Sequence, residues 1–193
     1  MVRISIAVVV AALASTVASL TQVEQVLLDV DDLRQNYFPV LAGAIDKIPN
    51  SPEELKICSV VASPRDGAFP HGMQAAATRV AGQSGKINSG VANTTNLSYI
   101  EAGQILCYFQ DAHHDLMAIV NGIVAKNATL TGDKAFLRAP LRAQLSDMRA
   151  GHDVLTKTFR DKCPDFWKEK AGELNADGDA QFAVAESSFD PLK

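Results

Sequence analysis

The side chains able to do chemistry fall in a few places, and the spacing within each place limits what that chemistry can be. Asp111, His113, His114 and Asp115 form the densest polar cluster. Adjacent histidines on a helix point about 100° apart, so they cannot grip one metal ion as two histidines four residues apart can. With acids on both sides, the cluster reads as a solvated helix face. His152 falls on an apolar seam and reads as a hydrogen-bonded histidine of the core or its boundary, against a competing role as a polar contact to a ligand. Asn175, Asp177, Asp179 and Glu186 trace the outline of a calcium loop, but Ala180 occupies the position where the sharp turn demands Gly. Gly82-Gln83-Ser84-Gly85 lacks the glycine spacing of a nucleophile elbow. Gly85-Lys86 lacks the earlier Gly and the following Ser or Thr of a phosphate loop. The residues therefore point to no catalytic group, no metal site and no cofactor.

Cys58, Cys107 and Cys163 are an odd number, so at most one bridge forms within the chain. A bridge from Cys163 to Cys58 or Cys107, and a buried, unpaired Cys107 acting as a small hydrophobe, are both open readings. Asn93-Thr94-Thr95, Asn96-Leu97-Ser98 and Asn127-Ala128-Thr129 make Asn93, Asn96 and Asn127 candidate N-glycan acceptors. All three bracket one long amphipathic stretch, where sugar would not obstruct packing.

Those residues need elements to carry them. Residues 1–19 combine Arg3, an apolar run from Ile4 to Leu13 and then small residues, which reads as a cleaved secretory signal peptide. The run falls short of the ~20 residues that cross a bilayer, and neither a later span nor an apolar tail after Ser188 is expected. Residues 20–193 form one domain, exported to the cell wall or the surrounding medium. The formal charge of −4 becomes about −5 once Arg3 is removed, an acidic balance that offers nucleic acid no electrostatic foothold.

Within that domain the apolar residues recur at helical spacing, with no sustained period-two run. Val23 to Lys47 is expected as a first helix, with Val40 among its apolar residues and Asp29 on the opposite, polar side, and with a kink or a break near Asn36 to Phe38 caused by Pro39. Ser51 to Pro70 reads as an ordered excursion or short helix. Met73, Ala76, Ala77, Val80, Ser84, Ile87 and Val91 line a second helix whose glycines allow close approach of a neighbour. Ser98 and Glu101 form a capping box that opens a third, with Ile105, Phe109, Ala112, Leu116, Ile119 and Ile123 as its stripe. Lys126 to Asp133 is expected to turn the chain. Leu141, Leu145, Met148, His152, Leu155 and Phe159 form the next seam, with Pro140 in the first turn and Cys163-Pro164 as its break. Phe166 to Phe189 fits a last helix, interrupted or strained at Gly178. The fold class is all-α, a bundle of about five amphipathic helices.

The order of these segments, with "NLSYIEAGQIL" opening the third helix and "LTKTFRDKCP" closing the fourth, resembles the fungal hydrophobic-surface-binding protein A family, which includes cell-wall galactomannoproteins. The excursion from Ser51 to Phe69 and the cysteines depart from that pattern. The resemblance implies a secreted, non-enzymatic bundle that adsorbs to hydrophobic surfaces and helps recruit secreted hydrolases. In some relatives it also holds a fatty acid between helices. Carried onto the seams, it makes Ile105, Phe109, Leu116, Met148, Leu155 and Phe159 candidate lipid-lining residues. The alternatives are a structural cell-wall mannoprotein with no small ligand and a secreted hydrolase whose site is assembled from distant residues.

Overall fold

The computed structural model describes residues 20–48, 71–131 and 138–190, and among these it is helical with no strand. The first rod is built from α1 (Gln22–Asp32), a π-helical turn (Leu33–Tyr37) and α2 (Phe38–Asp46). It is followed by α3 (His71–Asn93), α4 (Tyr99–Ala125), the short α5 (Asn127–Thr131), α6 (Arg138–Lys162) and α7 (Asp165–Ser188). The molecule is an all-α bundle, as the periodicity requires. The signal segment, the 51–69 excursion and Cys58 lie outside the described residues.

Local chemistry explains where the rods begin and bend. The Ser98 backbone N–H donates to Glu101 Oε2 at 2.8 Å and Glu101 N–H returns to Ser98 Oγ at 3.3 Å, closing the expected capping box. Thr21 and Glu24 make the same arrangement at the start of α1. Pro39 removes one donor and its ring crowds the preceding turn. The chain answers by widening just before it, where Phe38 N–H reaches back five residues to the Leu33 carbonyl. The expected turn after Lys126 is instead partly wound into α5.

Packing partners arrange the rods in a closed ring. The first rod contacts α3 and α4, α3 contacts α6, α6 contacts α7, and α7 returns to α4. Each seam faces the ring's axis, and α4 and α6 look at one another across it. Phe109 and Phe159 meet there edge-to-face at 5.3 Å between centroids. Gly90 lets α3 approach α1 closely: a Cβ at that position would lie 2.9 Å from Val26 Cγ2. Gly82 and Gly85 have no such neighbour.

Several expectations are corrected by the tertiary contacts. Asp29, grouped by sequence with the wet side of the first helix, is buried; Lys86 Nζ donates to it at 2.6 Å and Gln83 Nε2 to its carbonyl at 3.0 Å. Val40, expected on the apolar side of the first helix, is exposed, and so is Phe166 at the start of α7. Gly178 does not interrupt α7. It makes room for the His152 ring, whose Cε1 would lie 2.5 Å from a Cβ there. Cys107 and Cys163 are both free thiols, so they do not pair with one another. Cys107 is the exposed one and Cys163 the buried one, the reverse of the reading that made Cys107 a core residue. Burial pushes the Cys163 thiol above its usual range.

Candidate functional site: a cavity on the ring axis

A ring of five rods leaves space on its axis unless large side chains fill it. At the Phe109–Phe159 level they do, and Ile105 lies fully buried on that closed side. One or two turns along, the smaller Ser84, Ala112 and Gly151 leave a cavity of about 330 Å³, which reaches solvent between α3 and α6 where the exposed Ala81, Gly85, Ala150 and Val154 border it. Every rod contributes to its wall: Val30, Leu33 and Phe38 from the first, Val80 and Ile87 from α3, Leu116 from α4, Met148 and Leu155 from α6, and Leu174 from α7. Of the six candidate lipid-lining residues, Phe109, Leu116, Met148 and Leu155 border this cavity. Ile105 and Phe159 do not; they close the core beside it.

The polar groups on the wall are few and organised. His113 Nδ1 and His152 Nε2 are 3.1 Å apart, and His113 Nε2 is 2.8 Å from Asp177 Oδ2. A carboxylate only accepts, so the His113 Nε2 hydrogen points at Asp177. That bond holds the Asp177 carboxyl below its ordinary range. Burial, reinforced by the neighbouring His113, pulls His152 down to about 4 from 6.5, so its ring is neutral near pH 7. The relay ties α4, α6 and α7 together across the axis. His113 is therefore buried, not on the solvated face where its neighbours suggested it belonged. A signal was present, since His113 follows the seam residue Phe109 by four and precedes Leu116 by three.

The rest of the acidic cluster is exterior. Arg34 clamps Asp111 at 3.0 Å and Asp115 at 2.8 Å, pinning the π turn to α4, while His114 is exposed. The calcium-like residues are spent on helix contacts: Asp179 accepts from Arg149 at 2.8 Å and Asn175 Nδ2 donates to Asp153 at 3.0 Å. Among the described residues no cluster of His, Cys, Asp or Glu is arranged to hold a metal ion.

Two polar wall residues escaped the sequence reading. Ser84 was placed on a seam without a role, and Asn88, one turn on, was passed over. Asn88 Oδ1 is buried and has no hydrogen-bond partner.

The candidate glycan acceptors lie away from the cavity. Asn93 and Asn96 are exposed near the α3–α4 connection. Asn127 Nδ2 donates to the Ser188 carbonyl at 2.8 Å, so a sugar there would have to share that nitrogen.

No family model matches the chain, and no curated protein matches it in sequence. Its fold is shared with solved structures at low identity. AfMP4p in complex with palmitic acid superposes with a TM-score of 0.70 at 16% identity, over 87% of this chain and 99% of that one. Ligand-binding domain 2 of the Penicillium marneffei MP1 protein, in complex with arachidonic acids, gives 0.60 at 12%, over 89% and 94%. Ligand-binding domain 1 of the same protein, also with arachidonic acids, gives 0.58 at 13%, over 84% and 99%. The chain is similar in fold to these fungal lipid-bound domains.

Proposed function

We propose that this chain is a non-enzymatic, secreted lipid-binding protein of the hydrophobic-surface-binding type, taking the hydrocarbon chain of a fatty acid or related lipid into the axial cavity. The observation that carries the reading is the cavity itself. It is walled by Phe109, Leu116, Met148, Leu155 and the small residues opposite them, and its volume of about 330 Å³ lies within the ordinary range for small-molecule sites. Each methylene taken from water into such a wall contributes ~0.8 kcal/mol. The fatty acids held by its structural neighbours support the same reading.

Purified protein, delipidated and offered palmitic and arachidonic acids, should retain one or more molecules through native mass spectrometry. Ala112→Leu, which adds a branched side chain to the wall, should weaken retention about tenfold or more, while changing stability by less than about 2 kcal/mol. Failure of the unmodified protein to hold either acid overturns the proposal.

A second reading, adsorption of the whole protein to hydrophobic surfaces, has its own observation. Tyr99, Ile100 and Phe166 are 55%, 72% and 60% exposed at one end of the bundle. Tyr99, Phe166 and Trp167 stack on one another with centroids 4.9–5.5 Å apart. An exposed apolar patch is a contact surface. Replacing Ile100 and Phe166 with Ser should reduce retention on polystyrene or wax without altering fatty-acid uptake; unchanged retention rejects this patch as the contact. Export, glycans on Asn93 or Asn96, residence in the cell wall and recruitment of a secreted hydrolase belong to the same proposal. Mass spectrometry of the native protein and wall fractionation test export, sugar and location, and co-adsorption with hydrolases tests recruitment. Covalent retention in the glucan fraction without lipid affinity would favour the structural mannoprotein.

A further inference from the structure

Resting on the lipid-binding reading, we propose that the lipid enters tail-first through a slot between α3 and α6 and keeps its head outside, so that the site grips the acyl chain alone. Single-chain amphiphiles whose heads are too large to enter, such as a lysophospholipid, then bind as readily as a free fatty acid.

The slot follows from which parts of the wall meet water. The exposed residues bordering the cavity are Ala81 and Gly85 on α3 and Asp147, Ala150 and Val154 on α6. Val30, Leu33 and Phe38 of the first rod and Phe109 and Leu116 of α4 are buried, and Leu174 of α7 is half-buried against the core. The wall is therefore shut towards the first rod, α4 and α7 and opens on one side. Ala81 and Gly85 lie one turn apart, and Asp147, Ala150 and Val154 follow one edge of α6 for about 10 Å. The opening is long and runs parallel to the helices. A Cβ at Gly85 or Gly151 would meet no described atom within 4 Å, so small residues on both helices leave it clear.

The interior offers a head nothing to hold. His113 and His152 spend facing nitrogens on each other, and His113 spends its second on Asp177. The Thr156 hydroxyl donates to Asn175 Oδ1. No Lys or Arg borders the cavity among the described residues. A carboxylate or phosphate driven to the far wall, against Val30, Leu33 and Leu116, would lose its water with no cation in return. Left at the slot it stays hydrated, and only the chain is taken out of water. Asp147, the charged residue of the rim, is exposed and screened by water and salt, so it neither captures nor bars a head.

The full chain, delipidated and loaded with a fluorescent fatty acid, would be titrated below micelle concentrations with palmitate, palmitoyl-lysophosphatidylcholine and glycerophosphocholine, which is the same head without a chain. Palmitate and the lysolipid should displace the probe with affinities within about fivefold of each other, and the bare head should displace nothing. A larger deficit for the lysolipid would show that the head must be enclosed and would overturn the proposal, as would displacement by the bare head. Gly85→Trp, at the slot, should slow probe uptake by about tenfold or more in stopped flow. Gly82→Trp, exposed on the same helix but outside the wall, should change it by less than about twofold. Equal uptake by the two variants would reject the slot as the way in. The competitor series uses the unmodified protein, so it decides where the head lies even where a variant folds poorly. Displacement by neither palmitate nor the lysolipid would bring down the lipid-binding reading itself, whereas displacement by palmitate alone removes only the head held outside.

Discussion

Gly90 and Gly85 stand on the same helix and are used in opposite ways. At Gly90 the missing side chain is filled by the neighbour, with Val26 close enough that a Cβ would overlap it at 2.9 Å. At Gly85 nothing approaches, and the space joins the cavity. The same division runs across the ring. Where α4 and α6 present Phe109 and Phe159, the axis is plugged by the two rings packed edge-to-face. Where the surrounding helices present Ala112, Gly151 and Ser84, it is open. Small residues are thus of two kinds in this bundle, those that draw helices together and those that hold space, and the difference lies in what stands opposite.

That contrast can be broken by mutation. Phe159→Ala, at the plugged level, should lower unfolding stability by about 3–5 kcal/mol in a denaturant titration, whereas Leu155→Ala beside the cavity should cost under about 2 kcal/mol, because its side chain already faces space. Equal costs would mean the two levels are packed alike.

The polar relay between the levels sharpens the comparison through pH. His152 resists protonation in the folded protein until about 4, while an unfolded histidine takes its proton near 6.5. The unfolded state therefore binds more protons between those values, so stability is at its full value above pH 6.5 and is lost as pH falls towards 4. The loss should approach roughly 3 kcal/mol, read as a falling denaturation midpoint, and His152→Gln should flatten that part of the curve. Asp177, whose carboxyl is held low by His113, adds a further loss in the same direction at lower pH.

The smallest effects come from the two glycines. Gly90→Ala should destabilise by about 1–3 kcal/mol, since Val26 is fully buried and has nowhere to move. Gly85→Ala meets nothing and should stabilise by up to about 1 kcal/mol through helix propensity. Thermal melts of the pair would show opposite signs; a shared sign would remove the distinction between them.

How much of this was legible beforehand depended on range. The stripe Ile105, Phe109, Leu116, Ile119 and Ile123 and the Ser98–Glu101 cap are local patterns, and both are borne out by the structure; Pro39, expected to kink or break the first helix, is instead taken up by a π turn just before it. His113 was misplaced because its immediate neighbours are charged, although its spacing from Phe109 put it on the seam. Gly178 was read as a weakness of α7 because the reason for it, the His152 ring, lies 26 residues away. The cavity was foreseeable only as a set of seams: four of six named residues border it, and the two that fill the axis could not be told from them by type.

What the chain alone determined was therefore periodic: which stretches wind into helices, where they start and bend, and which flank of each is apolar. These depend on interactions within a few residues, which sequence displays directly. What only the tertiary structure decided was the order of rods around the ring, the level at which Phe109 meets Phe159, and the void left beside them. Those features depend on which side chains from distant segments share one height on the axis, and a gap between helices is a property of that meeting rather than of any one of them.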